Sequence, residues 1–391
     1  MTDTIRIING KVVTSTKVFP EASLVMRKGY IHAIETESSK VLSRHDERLV
    51  DAKNCWILPG IIDTHSDAIE VELSPRPTSR LPYRVAMHEL ERKLIGSGIT
   101  TIYHALSLAD WDGLKWVRQT ETVQKIMHHL RNFAEQSDRL LTHRIHLRFE
   151  IANTTAVSYV REAILSRWID ELSFNDHTPG QGQFKDIEQF RHFLMSHRNL
   201  SSQAADAVLE SRMQQAKVEW GILQELADEA KTAGIPLASH DDDCVERLDL
   251  LEGWYGTICE FPITLEVAEE AKNRGFYVVM GAPNILNGAS TNGNLSAEMA
   301  ALAGVVDILC SDYYPPSLLH SVFTLAQMGL GMPRAVNMVS LNPAKALGLA
   351  DRGSIEVGKR ADVLIVGESA DGVPDVKSVY VAGNLVNAVY R

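Results

Sequence analysis

Between residues 57 and 345 the chain alternates short, almost wholly apolar runs with longer amphipathic or polar stretches, and this alternation restricts its fold more than any other feature. The apolar runs suit strands buried on both faces. The stretches between them, such as 114–138 and 203–233, carry Leu, Ile, Val and Ala at helical spacing among many charges. Strands that alternate with helices build a parallel sheet. We read eight strands, at 57–63, 99–106, 145–152, 168–176, 235–240, 257–261, 276–282 and 305–312. Eight such units predict an α/β fold, a (β/α)8 TIM-like barrel whose chemistry sits at the C-terminal ends of its strands. Asn342-Pro343 looks like a helix N-cap with proline at the first helical position.

The two ends of the chain have another texture. Residues 4–13, turning at Asn9-Gly10, and 23–35, around Gly29, alternate apolar and polar side chains. Residues 354–367 and 376–390 do the same, with turn signals at Gly358 and Gly383-Asn384. The termini are therefore expected to pair in a small β-sandwich. That reading makes residues 1–56 plus 346–391 a discontinuous domain beside a catalytic barrel of residues 57–345.

Composition narrows the function. With 45% apolar and 23% charged residues, the 391-residue chain reads as globular rather than disordered, collagen-like or coiled-coil. A formal charge of −11 argues against a protein that coats nucleic acid or anionic membrane, so an anionic ligand needs a local basic pocket. The start MTDTIRIING lacks a basic segment followed by an apolar run, and no long apolar span occurs, which leads us to expect a cytoplasmic protein. Cys55, Cys244, Cys259 and Cys310 form no C-x-x-C, so neither a disulfide framework nor a thiolate zinc site is suggested.

The chemistry is carried by what ends the apolar runs. His65 and Asp67 close the first run two residues apart, and in extended chain such residues point the same way and can converge on one ion. Glu150, His177, His240 and Asp312 end or follow four later runs. A structural histidine explains any one of these positions; a metal centre explains all six together, because a parallel barrel gathers its strand ends on one face. Imidazole and carboxylate ligands suit zinc, manganese, iron or nickel, and a bridging carboxylate, for which Glu150 is the candidate, could hold two divalent ions about 3.5 to 4 Å apart. Such ions lower the pKa of water toward neutrality and supply hydroxide as a nucleophile, with Asp312 placed to accept and return a proton. The expected activity is hydrolysis.

The segments PGIIDTHSD, SHDD, SDYYP and NPAKALGLADRGSIEVGKRADVLIV resemble the amidohydrolase superfamily nearly end to end. The resemblance implies a metal-dependent barrel beside a β-sandwich built from both termini, with ligands on the first, fourth, fifth, sixth and eighth strands. By motif it places His65 and Asp67 on the first-strand pair, Glu150 on the bridging position, His177 and His240 on the paired histidines and Asp312 on the last-strand aspartate. Three departures stand out. The first motif is His-x-Asp instead of His-x-His, Glu150 stands where many members carry a carboxylated lysine, and our count puts Glu150, His177 and His240 on the third, fourth and fifth runs. That offset implies either an unread strand between 107 and 143 or a later run outside the barrel.

Within the superfamily, THSDAIE, NDHTPGQGQF, SHDDD, CEFPITLEVA and MGAPNILNGASTNGNLSA are similar to the ribose-triphosphate diphosphatases of phosphonate degradation. That similarity implies release of pyrophosphate from alpha-D-ribose 1-methylphosphonate 5-triphosphate, a small phosphorylated sugar. It also carries the family expectations of a homodimer and of neighbouring phosphonate-pathway enzymes as partners. Phosphoanhydride cleavage needs cations and donors around the phosphate oxygens. Arg76, Arg80, Arg84, Arg148 and Lys185 are candidates, as are Asn284, Ser290 and Asn294 in and before the 288–294 loop; any one arginine could equally be solvated surface. Asn287 and Thr291 stand where the subfamily pattern carries a basic residue and a histidine, which leaves a C–N hydrolase (deacetylase, cyclic amidase or deaminase) as the alternative. A non-catalytic scaffold is disfavoured by the six ligand-type residues. His104, ending the second run, reads as a substrate donor or a core histidine, and Asp241 to Asp243 as groups orienting the ligands or a solvated loop. His128-His129 reads as surface.

Overall fold

The computed structural model describes residues 4–36, 47–110, 114–182, 185–198, 200–288, 290 and 294–389. Two eight-stranded sheets organise them. The first comes from the chain ends: β1 (Thr4–Val13), β2 (Val18–Arg27), β3 (Tyr30–Glu35), β4 (Glu47–Asp51) and β5 (Trp56–Pro59), later joined by β14 (Val363–Glu368), β15 (Pro374–Val381) and β16 (Asn384–Ala388). The second is the barrel: β6 (Ile61–Ser66), β7 (Ile99–Leu108), β8 (Thr142–Glu150), β9 (Glu171–Asn175), β10 (Leu237–His240), β11 (Ile258–Glu260), β12 (Tyr277–Gly281) and β13 (Ile308–Cys310). Its strands neighbour one another in chain order and run parallel. The last strand returns to the first through a parallel bridge between Ser66 and Asp312, with Asp67 N–H donating to the Asp312 carbonyl at 2.7 Å and Asp312 N–H to that of His65 at 2.9 Å.

These eight strands are the eight apolar runs. Among the described residues no further strand lies between 107 and 143; that crossover is made by a short 3-10 turn, Trp116–Arg118, and the helix Thr120–Ala134. The run count therefore stands, and Glu150, His177 and His240 lie on or just after the third, fourth and fifth barrel strands, one earlier than the superfamily order implied. One boundary needs correction. The run at 57–63 is two strands: β5 pairs with β14 and β1 in the terminal sheet, and only from Ile61 does the chain enter the barrel. Gly60 makes the crossing, because a Cβ there would sit 2.2 Å from the Thr100 hydroxyl oxygen.

The terminal β domain takes the form of one forked sheet. β1 pairs with β2 on one side; on the other, Thr4–Ile8 pairs with β4 and Lys11–Val12 with β5, the register shifting around Gly10. The branches share a core of Ile7, Leu24, Met26, Ile57, Val363, Ile365 and Tyr380. Around the barrel, the outward side chains of its strands bury themselves under the helices, as Ile102, Leu106 and Leu108 do on β7. Tyr103, Ala238, Ile258, Val279, Ile308 and Cys310 form a separate apolar cluster with Ala346 and Leu347. The six strand residues come from β7 and β10–β13, and Ala238 and Ile258 each lie two residues below His240 and Glu260 on the same strand face, so this is the plug of the lumen. No helix among the described residues is long and apolar enough to cross a membrane.

Candidate active site

Above the apolar plug the lumen turns polar. Inward positions on β8 are His146, Arg148 and Glu150, and those on β9 are Glu171, Ser173 and Asn175, each set spaced by two as a strand requires. His240 ends β10 and Glu260 ends β11, paired in register. The chain then turns sharply. Asp241, Phe261 and Asp312, each one or two residues past a strand end, have φ of 58°, 54° and 53°. The left-handed region disfavours L side chains, least so Asp, and such strain gathers at functional sites. At Phe261 the turn lays the ring edge-on against His65 at 5.2 Å and tilted against His240 at 5.1 Å.

Charges alternate across the mouth. His65 Nδ1 is 3.1 Å from Glu260, which orients the ring, and its Nε2 is 4.0 Å from Asp67. Arg118 donates to Asp67 at 2.9 Å and grips Glu70 at 2.8 and 3.0 Å, while Arg148 reaches Asp67 at 3.4 Å and His240 Nε2 at 3.1 Å. Both oxygens of Glu150 are taken by His177, one by its backbone N–H at 2.9 Å and one by Nδ1 at 2.6 Å, leaving Nε2 facing Asp241 at 3.5 Å.

Protonation follows from these neighbours. Burial pushes the His65 imidazole down to about 3 and lowers that of His240 as well. Burial also works against charge on His177, but the Glu150 and Asp241 carboxylates hold it up to about 9. Asp241, although buried, is held well below the usual carboxylate range by His240 and His177. Burial and then the Asp67 charge push the Asp312 carboxyl up to about 7.

The donor set fits a metal. Ligand atoms of His65, His240 and Glu260 lie within 4.8 Å of one another, and so do those of His177, His240 and Asp241. His240 Nδ1 and Asp241 Oδ2 are buried 3.0 Å apart, yet neither has an aligned hydrogen-bond partner. Orphaned imidazole and carboxylate donors at such spacing are what a divalent transition ion requires. The cleft they line, about 230 Å³, also takes in Asp67, Arg118, Arg148, Phe261, Asn284, Ser290, Asn294 and Asp312. Asp67 and Arg118 belong as well to an adjoining cavity of about 620 Å³, lined by Arg76, Arg80, Lys115, Trp116 and Tyr313 among others.

The model of the Amidohydrolase family matches residues 56–386, spanning all of the barrel and most of the C-terminal strands. The chain belongs to this family. As an amidohydrolase it is 33% identical over 363 residues to the alpha-D-ribose 1-methylphosphonate 5-triphosphate diphosphatase of Escherichia coli (strain K12), covering 91% of this chain and 93% of that one. Its fold is similar to that of a prolidase solved with N-methylphosphonate-L-proline, at 14% identity and a TM-score of 0.66 over 99% of this chain and 100% of the other. Molinate hydrolase superposes with a TM-score of 0.65 at 16% identity, over 98% of this chain and 94% of the other.

Within this amidohydrolase the residues singled out from sequence fare differently. His65, Asp67, Arg148, His240, Asn284, Ser290, Asn294 and Asp312 all line the cleft, and His177 faces its Asp241. Glu150 stands behind His177, each of its oxygens accepting one hydrogen bond from that residue. Arg76 and Arg80 line the adjoining cavity, Arg80 stacked over Trp116 at 4.8 Å. Arg84, on the helix Tyr83–Gly96, and Lys185 are exposed and line neither space. His104 faces away from the lumen, 3.0 Å from His143. Asn287 is exposed at the end of the helix Ala282–Asn287, and Thr291 lies outside the described residues. Sequence reading missed Glu260, Arg118 and Glu70. Glu260 carries the same signal as Glu150, a carboxylate closing an apolar run; Arg118 comes from a crossover turn and has no such signal.

Proposed function

We propose that this amidohydrolase is a metal-dependent diphosphatase that releases pyrophosphate from the 5-triphosphate of alpha-D-ribose 1-methylphosphonate, in phosphonate catabolism. The observation that carries the reading is the continuity of the donor-lined cleft, through Asp67 and Arg118, with a groove bearing Arg76, Arg80 and Lys115. A chain of net charge −11 that gathers Arg76, Arg80, Lys115, Arg118 and Arg148 beside its metal donors suits a polyanionic substrate. The 33% identical diphosphatase supports the same reading.

The metal and catalytic set is His65, Asp67, Glu150, His177, His240 and Asp312, with Glu150 acting through the His177 ring and Glu260 through that of His65. Two divalent ions, zinc in the first instance, would polarise phosphoryl oxygens and bring water near its ionised form at neutral pH. The chain's own groups do the rest. Asp312, poised near neutrality, takes a proton from the attacking water and returns it to the departing pyrophosphate. Arg118 and Arg148 keep Asp67 ionised and offset charge that builds on the α-phosphate. Arg76 and Arg80 hold the β- and γ-phosphates, and Phe261 shields the two histidines from water.

Phosphorus-31 NMR of zinc- or manganese-loaded protein with the ribose 1-methylphosphonate 5-triphosphate tests this. Metal-dependent appearance of pyrophosphate is expected. An unchanged phosphorus spectrum alongside hydrolysis of N-acyl or cyclic amide substrates by the same preparation would sink it in favour of C–N chemistry.

A further inference from the structure

Below the mouth, two more inward side chains, His146 on β8 and Glu171 on β9, meet the far side of Glu260 on β11. All three are fully enclosed, with exposures of 0%. His146 and Glu171 are register partners on adjacent strands, and ligand atoms of the three lie within 4.8 Å of one another. Folding two carboxylates into a protein interior without a counter-charge is strongly unfavourable. Among the described residues no Lys or Arg forms an ion pair with Glu171 or Glu260, whose ion-pair neighbours are histidines.

The hydrogen bonds sharpen the problem. Ser173 Oγ donates to Asn175 Oδ1 at 2.9 Å, so it accepts from His146 Nε2, 3.0 Å away. A neutral imidazole that spends its proton there presents a lone pair at Nδ1. That lone pair faces Glu171 Oε2 across 3.7 Å, too far for a hydrogen bond and too close for two acceptors left to themselves. His146 Nδ1, both oxygens of Glu171 and Oε2 of Glu260 have no hydrogen-bond partner. One ligand atom from each of the three residues thus lies within 4.8 Å of the others, and Glu260 Oε2 stands 3.8 Å from His146 Nε2, too far for a hydrogen bond.

We propose that a divalent transition cation, held by His146, Glu171 and Glu260, lies among them as a structural ion separate from those at the mouth. Two carboxylates and a neutral imidazole balance its charge, and nitrogen with oxygen donors suits zinc, manganese or iron. The ion ties the third, fourth and sixth barrel strands together. Through the other oxygen of Glu260, which holds His65 at 3.1 Å, it also fixes the ring that faces the cleft.

Anomalous diffraction at the zinc edge from zinc-loaded wild-type protein is the direct test. A peak bounded by His146, Glu171 and Glu260 is expected, whereas peaks at the mouth with none below would overturn the proposal and leave the two carboxyls protonated. Metal analysis gives a second reading. Wild type should carry one more ion per chain than Glu171→Gln, and a His177→Ala/His240→Ala variant should keep that ion. Equal metal content in wild type and Glu171→Gln, or a metal-free double variant, counts against the site.

Discussion

His65 and His104 make an instructive pair. Each lies on an apolar barrel strand, and each is 1% exposed. His65 points into the lumen, where it meets Glu260, Asp67 and the Phe261 ring. His104 points outward from β7, on the face it shares with Ile102, Leu106 and Leu108, and leads through His143 to Glu91 on a surrounding helix. His143 is edged there by Phe133, a residue of the outer core. The difference is one of strand parity. Successive residues of a strand face opposite ways, so a histidine on a barrel strand serves the lumen or the helical layer according to a single step of register.

The contrast can be broken or sharpened by experiment. On the lumen side, His240→Ala or Asp312→Asn should lower turnover by about 10³-fold or more with an unchanged circular dichroism spectrum; activity within a few-fold of wild type would remove that residue from the chemistry. Arg118→Ala should cost about 10²-fold in kcat/KM, since Asp67 and Glu70 lose the guanidinium between them. Arg118→Lys should recover only part of this, because a single ammonium cannot match the fork, and full recovery would reduce Arg118 to a point charge.

Farther out, Arg76→Ala and Arg80→Ala should each raise KM for a triphosphate substrate by about tenfold at low salt and less at high salt, with kcat nearly unchanged. A KM that ignores both substitutions would separate the groove from the phosphates. The smallest effect belongs to the outer pair. Burial depresses the pKa of both His104 and His143 below the ordinary value, so the unfolded chain binds protons that the folded one refuses. Their contribution is present above about pH 6.5 and is lost as pH falls below it toward the depressed folded values. His104→Gln should therefore flatten the loss of urea stability between neutral and mildly acidic pH while leaving kcat unchanged, and a collapse of kcat would place His104 in the site after all.

Much of this protein is legible in its residues. Parallel strands buried on both faces must be continuous apolar runs, so all eight barrel strands could be counted, and ligand-type residues at their ends marked the mouth. The boundary at Gly60 was not visible, because an apolar run reads alike whether it pairs with one sheet or passes between two. The contact of Glu150 with His177 was likewise not visible, because it depends on how the next strand's loop folds back.

By itself, then, the sequence determined the barrel, the terminal β domain and the residue types available for hydrolysis, since hydrophobic periodicity and polar run-ends are local properties of the chain. Only the tertiary structure decided which of those residues meet. Arg118 reaches Asp67 from a crossover turn 51 positions away, and Glu260 faces His65 across 195. Contacts of that kind are set by barrel closure and strand parity, which no local pattern encodes.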